Sequence, residues 1–134
     1  MRILLYMKNS VKKRDTQRAW PRNYELVLQV YGCTSDFPQA ELFGLKQEMR
    51  KTCISIISNL ADGSSRNQVE AMLKCFGTAK ACLFRLESQI TIAHKLGLLT
   101  NGQYITLNNR VNAALQELTV ITNNSRDTHD KEDK

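Results

Sequence analysis

Apolar residues recur along this chain at steps of three and four. The most regular run is Val69, Met72, Phe76, Ala79, Leu83, Leu86, Ile90 and Ala93. Such alternation marks one face of a long helix that packs at a shallow angle on its neighbours. A second run is Tyr104, Leu107, Val111, Ala114, Leu118 and Ile121, and a shorter one is Leu45, Met49, Cys53, Ile56 and Leu60. The first in chain order is Trp20, Tyr24, Val27 and Tyr31. No segment keeps the period of two of a half-buried strand beyond a few residues. The stripes predict an all-α protein, an antiparallel up-and-down four-helix bundle.

Local signals bound these helices. Gly63 and Gly97 stand where a left-handed residue is wanted after the second and third helices. Ser65-Arg-Asn-Gln68 and Thr100-Asn-Gly-Gln103 have the spacing of capping boxes. Pro38, with Glu41 behind it, suits a first helical turn after the Ser35-Asp36 linker. The stretch SIISNLADGSSR, Ser55 to Arg66, runs from apolar to polar within a few residues. It lacks the lysine and glycine spacing of a phosphate-binding loop. A serine nucleophile would need a histidine, and the chain offers only His94 and His129. The stretch reads as a helix–helix corner. Ser55, Asn59, Asp62, Gly63 and, flanking the third stripe, Glu87 are its expected structural clasp, with Arg50 or Asn59 as partners for a buried Glu87.

At 134 residues the chain makes one domain. No apolar run approaches the ~20 residues of a membrane-spanning helix. The opening MRILLYM carries a five-residue apolar stretch, below the ~7–15 of a secretory core. A cytoplasmic location is expected, and Met7 is an alternative start. Cys75 and Cys82 are seven apart, hence ~10 Å along a helix. That is too far for one disulfide or one metal ion, so Cys33, Cys53, Cys75 and Cys82 are expected as reduced thiols acting as small hydrophobes. The Glu-x-x-His pair of a di-metal bundle is absent, since Thr91 stands three residues before His94. Glu48, Asp62, Glu70 and Glu87 share no local motif. No catalytic, metal or cofactor site is expected.

The net charge of +6 has a location. Residues 1–22 hold Arg2, Lys8, Lys12, Lys13, Arg14, Arg18 and Arg22 against Asp15, a balance of +6, and residues 23–134 balance to zero. This divides the chain into a basic arm (1–22), a bundle (23–122) and a polar, mixed-charge tail (123–134) expected to be disordered. A basic arm suits a polyanion. On the second helix Lys46 and Arg50 share a ridge, with Lys51 beside them. Trp20, Tyr24 and Tyr31, with Phe37, either form a subunit contact or complete the core.

The run from Phe37 to Arg66 resembles the proteins encoded in intervening sequences of bacterial 23S ribosomal RNA genes. The matching residues are Phe37-Pro38, Glu41, Gly44-Leu45, Arg50-Lys51, Ser55-Ile56 and Ser58-Asn59-Leu60-Ala61-Asp62-Gly63. The similarity continues through Leu86-Glu87, Gln89 and Lys95 to Leu99, covering about residues 24–121. Ile57, Asp62, Ala81-Cys82 and Arg85 depart from that pattern. Leu96 to Tyr104 is also similar to the accessory variability determinant proteins of diversity-generating retroelements, which bind nucleic acid beside a reverse transcriptase. The resemblance implies a ring-like homopentamer of bundles without catalysis.

The expected function is that of a non-enzymatic binding protein holding RNA or DNA phosphates. Lys8, Lys12, Lys13, Arg14, Arg18 and Arg22 of the arm would supply the attraction, supported by Lys46, Arg50 and Lys51. A reverse transcriptase or ribosomal RNA is the companion the resemblance implies. The other expectation is a structural oligomer with no nucleic-acid role. Neither involves a membrane or a small-molecule substrate.

Overall fold

The computed structural model describes residues 16–41 and 44–132, with side chains to residue 126. Helices α1 (Thr16–Ala19), α2 (Pro21–Thr34), α3 (Leu45–Ser65), α4 (Val69–Lys95) and α5 (Asn101–Glu132) follow in order, with a 3-10 turn at Gln39–Glu41 before α3. No strand occurs among the described residues. The protein is an all-α helical bundle.

The apolar stripes become the core. Every α4 stripe residue from Met72 to Ala93 is buried, as are Leu107, Val111, Ala114 and Leu118 on α5 and Met49, Cys53, Ile56 and Leu60 on α3. The helices close a ring in which α2 and α4 each pack on both α3 and α5. Side chains join α2 to both of its neighbours. On the α3 side, Trp20 meets Ser64 and Thr34 meets Arg50. On the α5 side, Asn23 meets Glu117 and Glu25 meets Arg110.

Three local signals behave differently from one another. Gly97 takes the left-handed conformation (φ +77°). Leu98 N–H then donates to the Ala93 carbonyl at 2.9 Å and Gly97 N–H to that of His94 at 3.0 Å, a Schellman end. Thr100 and Gln103 form the reciprocal capping box, with contacts of 2.9 and 3.1 Å. The third signal is overturned: Gly63 is not a helix exit. Helix α3 runs on to Ser65, Gly63 is buried inside it, and Ser65 lies within α3 instead of capping α4, which starts after Gln68.

The buried face of α2 is rotated from the predicted one. Trp20, Asn23, Leu26, Val27, Val30 and Thr34 are buried, with Phe37 just beyond, while Tyr24 and Tyr31 are only partly covered. Two polar residues sit inside this stripe, and each has a partner. The Asn23 amide donates to the Ala114 carbonyl and to Glu117, and the Thr34 hydroxyl donates to the Val30 carbonyl at 2.8 Å. Glu117 also does the work of a missing cap. No side chain of α2 caps its own N-terminus, and the Glu117 carboxylate accepts from the N–H groups of Arg22 (3.1 Å) and Asn23 (3.3 Å) instead.

Both predicted bundle boundaries move outward. Thr16 and Trp20 are buried, so folded structure begins inside the expected arm. At the other end α5 continues past residue 122 to Glu132, and the step of four from Ile121 places Ser125 in the core at 1% exposure. Extending a formed helix by polar residues needs no new nucleus, so a mixed-charge sequence does not stop it.

Candidate nucleic-acid interface

The basic residues singled out on the second predicted helix line a groove between α2 and α3. Tyr31, Lys46, Gln47, Arg50, Lys51, Ile54 and Ser55 surround a volume of about 650 Å³. From Gln47 to Ile54 the α3 members follow the helical repeat, which brings one turn's neighbours to one side. Tyr31 enters from α2 because the two helices pack together there.

Arg50 is the fixed point of this groove. Its guanidinium lies 4.5 Å over the Tyr31 ring. Nε donates to the Thr34 hydroxyl at 3.0 Å and Nη2 to the Tyr31 carbonyl at 3.0 Å. That carbonyl also accepts from the Thr34 hydroxyl (3.3 Å) and the Ser35 hydroxyl (2.8 Å). A cation at the end of α2 offsets the partial negative charge of the helix terminus. Arg50 is thus half-buried and held by α2, not displayed on an open ridge with Lys46. Lys51 is exposed and 4.0 Å from Glu48, a loose surface pair. Lys46 has no ion-pair partner among the described residues. Ile54, at 53% exposure, gives the groove an apolar floor.

The other expected contributors do not converge here. Lys8, Lys12, Lys13 and Arg14 lie outside the described residues. Arg18 is exposed and already engaged, and Arg22 sits 3.6 Å from Glu25. Both belong to the end of the bundle where Trp20 meets Ser64. Ser64 is ~20 Å along α3 from Arg50 at 1.5 Å per residue. A single track from Arg22 to Lys46 along one protomer would have to span that length.

The expected clasp is divided as well. Ser55 lines the groove, and its carbonyl accepts from the Asn59 amide at 2.8 Å. Asp62 pairs with Arg66 at 3.0 Å and accepts from the Cys75 thiol at 3.5 Å. Those two hydrogen bonds, Arg66's first, hold the Asp62 carboxyl below its ordinary value. Its contribution is complete above the usual carboxylate range and fades as pH falls through the lowered value. Glu87 is not part of this corner: it lies ~18 Å along α4 from Cys75 at the helical rise. Its carbonyl accepts from the Thr91 hydroxyl at 3.1 Å, and its carboxylate makes no bond to Arg50 or Asn59. Sequence reasoning missed Arg66, Tyr31 and Ile54 as groove or corner residues. The available signal for Ile54 was an isoleucine one position off the buried stripe, between Cys53 and Ile56.

All four cysteines are free thiols, but only Cys53 and Cys82 are buried. Burial pushes the Cys53 thiol up to about 12, against the opposing pull of Arg50's charge, and raises Cys33 and Cys75 too. A raised value means less thiolate and slower alkylation. With a maleimide at about pH 8, Cys53 should label only on unfolding, while Cys33 and Cys75 label slowly in the native protein. Mass mapping of the labelled peptides checks this; native labelling of Cys53 would contradict its placement.

Among the described residues no group of His, Cys, Asp or Glu is placed to hold a metal ion, and no helix is long and apolar enough to cross a membrane. No curated protein matches the chain. The family profile of the 23S rRNA-intervening sequence protein matches residues 15–120, taking in α1 to α4 and α5 as far as Val120. With the bundle and the shared corner residues, that span places the chain in the 23S rRNA-intervening sequence protein family.

Proposed function

We propose that this protein is a non-enzymatic accessory or scaffold protein that binds RNA or DNA through backbone phosphates. The convergence of Lys46, Arg50 and Lys51 on one groove carries the reading. The arm cations Lys8, Lys12, Lys13 and Arg14 add long-range attraction. The residue pairings between α2 and its neighbours support an antiparallel, up-and-down arrangement, which leaves this groove on the outside of the bundle. Ribosomal RNA, or the template of a retroelement reverse transcriptase, is the companion in keeping with the family resemblance.

The test is retention of a fluorescent RNA over a salt series by the full chain and by two variants. Replacing Lys46 and Lys51 by Gln should lower the log–log salt slope by roughly 1–2. Neutralising Lys8, Lys12, Lys13 and Arg14 to Gln should lower it further. Deletion to residue 22 is the wrong comparison, because Trp20 is a core residue. Unchanged slopes in both variants would remove these residues from the interface.

A second reading, a structural oligomer in the form of a homopentamer, is favoured by an apolar stripe on the outside of α4. Phe84 and Ile92 are each 49% exposed and share a face with the exposed Gly77, Ala81 and Ser88. Exposed apolar runs of this kind mark contact surfaces. Phe84→Glu with Ile92→Glu should yield monomers by light scattering, with the helical signal intact. An unchanged mass would exclude this face.

A further inference from the structure

The groove between α2 and α3 contains more than a phosphate clamp requires. A duplex backbone presents phosphate and sugar and gives no use to a half-exposed isoleucine. Here Ile54 lines the same groove as Lys46, Lys51 and Tyr31. Leu28, a turn before Tyr31 on α2, is 67% exposed and extends the apolar surface along that helix.

Arg50 turns this surface into a platform. Its Cζ lies 4.5 Å from the centre of the Tyr31 ring, and its Nε and Nη2 are tied to Thr34 and Tyr31. Two hydrogen bonds therefore hold the guanidinium in place beside the ring, and both side chains line the groove. Guanidinium planes and aromatic rings are the surfaces on which proteins stack unpaired bases. The tyrosine beneath adds a polarisable support, and ordering the arginine in advance removes an entropy penalty from binding.

We infer that this groove holds an unpaired nucleobase against the Arg50–Tyr31 platform and Ile54, while Lys46 and Lys51 take the flanking phosphates, so the protein selects single-stranded over duplex nucleic acid. The inference rests on the nucleic-acid reading above and narrows its ligand to unpaired segments. It predicts a division of labour. The two lysines set salt dependence, which every nucleic acid shares, and Ile54 and Arg50 set the preference for unpaired bases.

The experiment uses the full chain and a 12-nucleotide RNA carrying 2-aminopurine, alone and annealed to its complement. The single strand should bind on the order of 10-fold more tightly, with a change in 2-aminopurine emission. Ile54→Ser should remove most of that preference by weakening single-strand binding, with the salt slope kept. Arg50→Lys keeps the charge but loses the plane, and should likewise lower the preference through weaker single-strand binding. Because Arg50 also caps α2, circular dichroism accompanies that variant, and Ile54→Ser carries the test if it unfolds. Equal affinity for both forms, with unaltered emission, overturns the inference and leaves nucleic-acid binding standing. Failure of both forms to bind overturns the two readings together. Displacement of the RNA by an acidic amphipathic peptide with no emission change on RNA binding assigns the groove to protein and overturns the inference.

Discussion

Phe76→Ala is expected to lower the folding free energy by about 3–5 kcal/mol, a large part of the ~5–15 kcal/mol of an ordinary domain. Phe76 is buried where α4 meets the end of α3, and the edge of its ring meets Trp20 with centroids 5.0 Å apart. Trp20 is itself fully buried, with its indole N–H donating to the Ser64 hydroxyl at 3.1 Å. Truncation leaves a cavity that neither neighbour can fill, because the indole is tethered to α3. For a chain of this size the midpoint of thermal unfolding should fall by roughly 10–20 °C. Trp20 is the single tryptophan, so its emission reports on this corner directly. A loss under about 1 kcal/mol would mean that the corner collapses around the void.

That corner also shows what the sequence disclosed and what it withheld. The stripes of α4 and α5 were legible because every position in them is apolar, and the structure buries them from Met72 to Ala93 and from Leu107 to Leu118, with Val69, Tyr104 and Ile121 partly covered. The α2 stripe was not, because Asn23 and Thr34 occupy core positions. An apolar-only rule passes over them and selects Tyr24, one position from Asn23, and Tyr31, one position from the buried Val30. What makes a buried Asn23 tolerable is Glu117 and the Ala114 carbonyl, more than ninety residues on. Local pattern carries no trace of such a partner.

The groove was half-legible for a related reason. The spacing of Lys46, Arg50 and Lys51 placed them on one helix, and helical geometry did the rest. Their chemistry was misread, since Arg50 looked like a free cation and is instead bound to the end of α2. Only the packing of α2 on α3 brings Tyr31 under the guanidinium. The boundaries were misplaced as well. Charge divided the chain at residue 22 and the end of the apolar stripe divided it at residue 122, but Trp20 and Ser125 are buried beyond those limits. Burial sets where the bundle ends.

Gly63→Ala tests the same packing through the sign of its effect. Glycine inside a helix is ordinarily about 1 kcal/mol worse than alanine, so propensity alone makes this substitution stabilising. A Cβ at position 63, however, would lie 2.6 and 2.8 Å from two Phe76 ring carbons and 3.0 Å from the Cys75 Cβ. The ring cannot swing aside cheaply with Trp20 against its other side. Overpacking at such a site runs to about 1–3 kcal/mol, so after the propensity gain the net expectation is a loss of up to roughly 2 kcal/mol for alanine and more for valine. The discriminating measurement is a double-mutant cycle with Phe76→Leu. If the ring is the obstacle, Gly63→Ala should become neutral or stabilising in the leucine background, a coupling of roughly 1–2 kcal/mol between residues in contact. Additive effects would place the strain elsewhere. A stabilising Gly63→Ala in the parent protein would show that α3 and α4 stand farther apart at this corner than their close approach at Gly63 implies, and would weaken the case for Trp20 and Phe76 as its keystone pair.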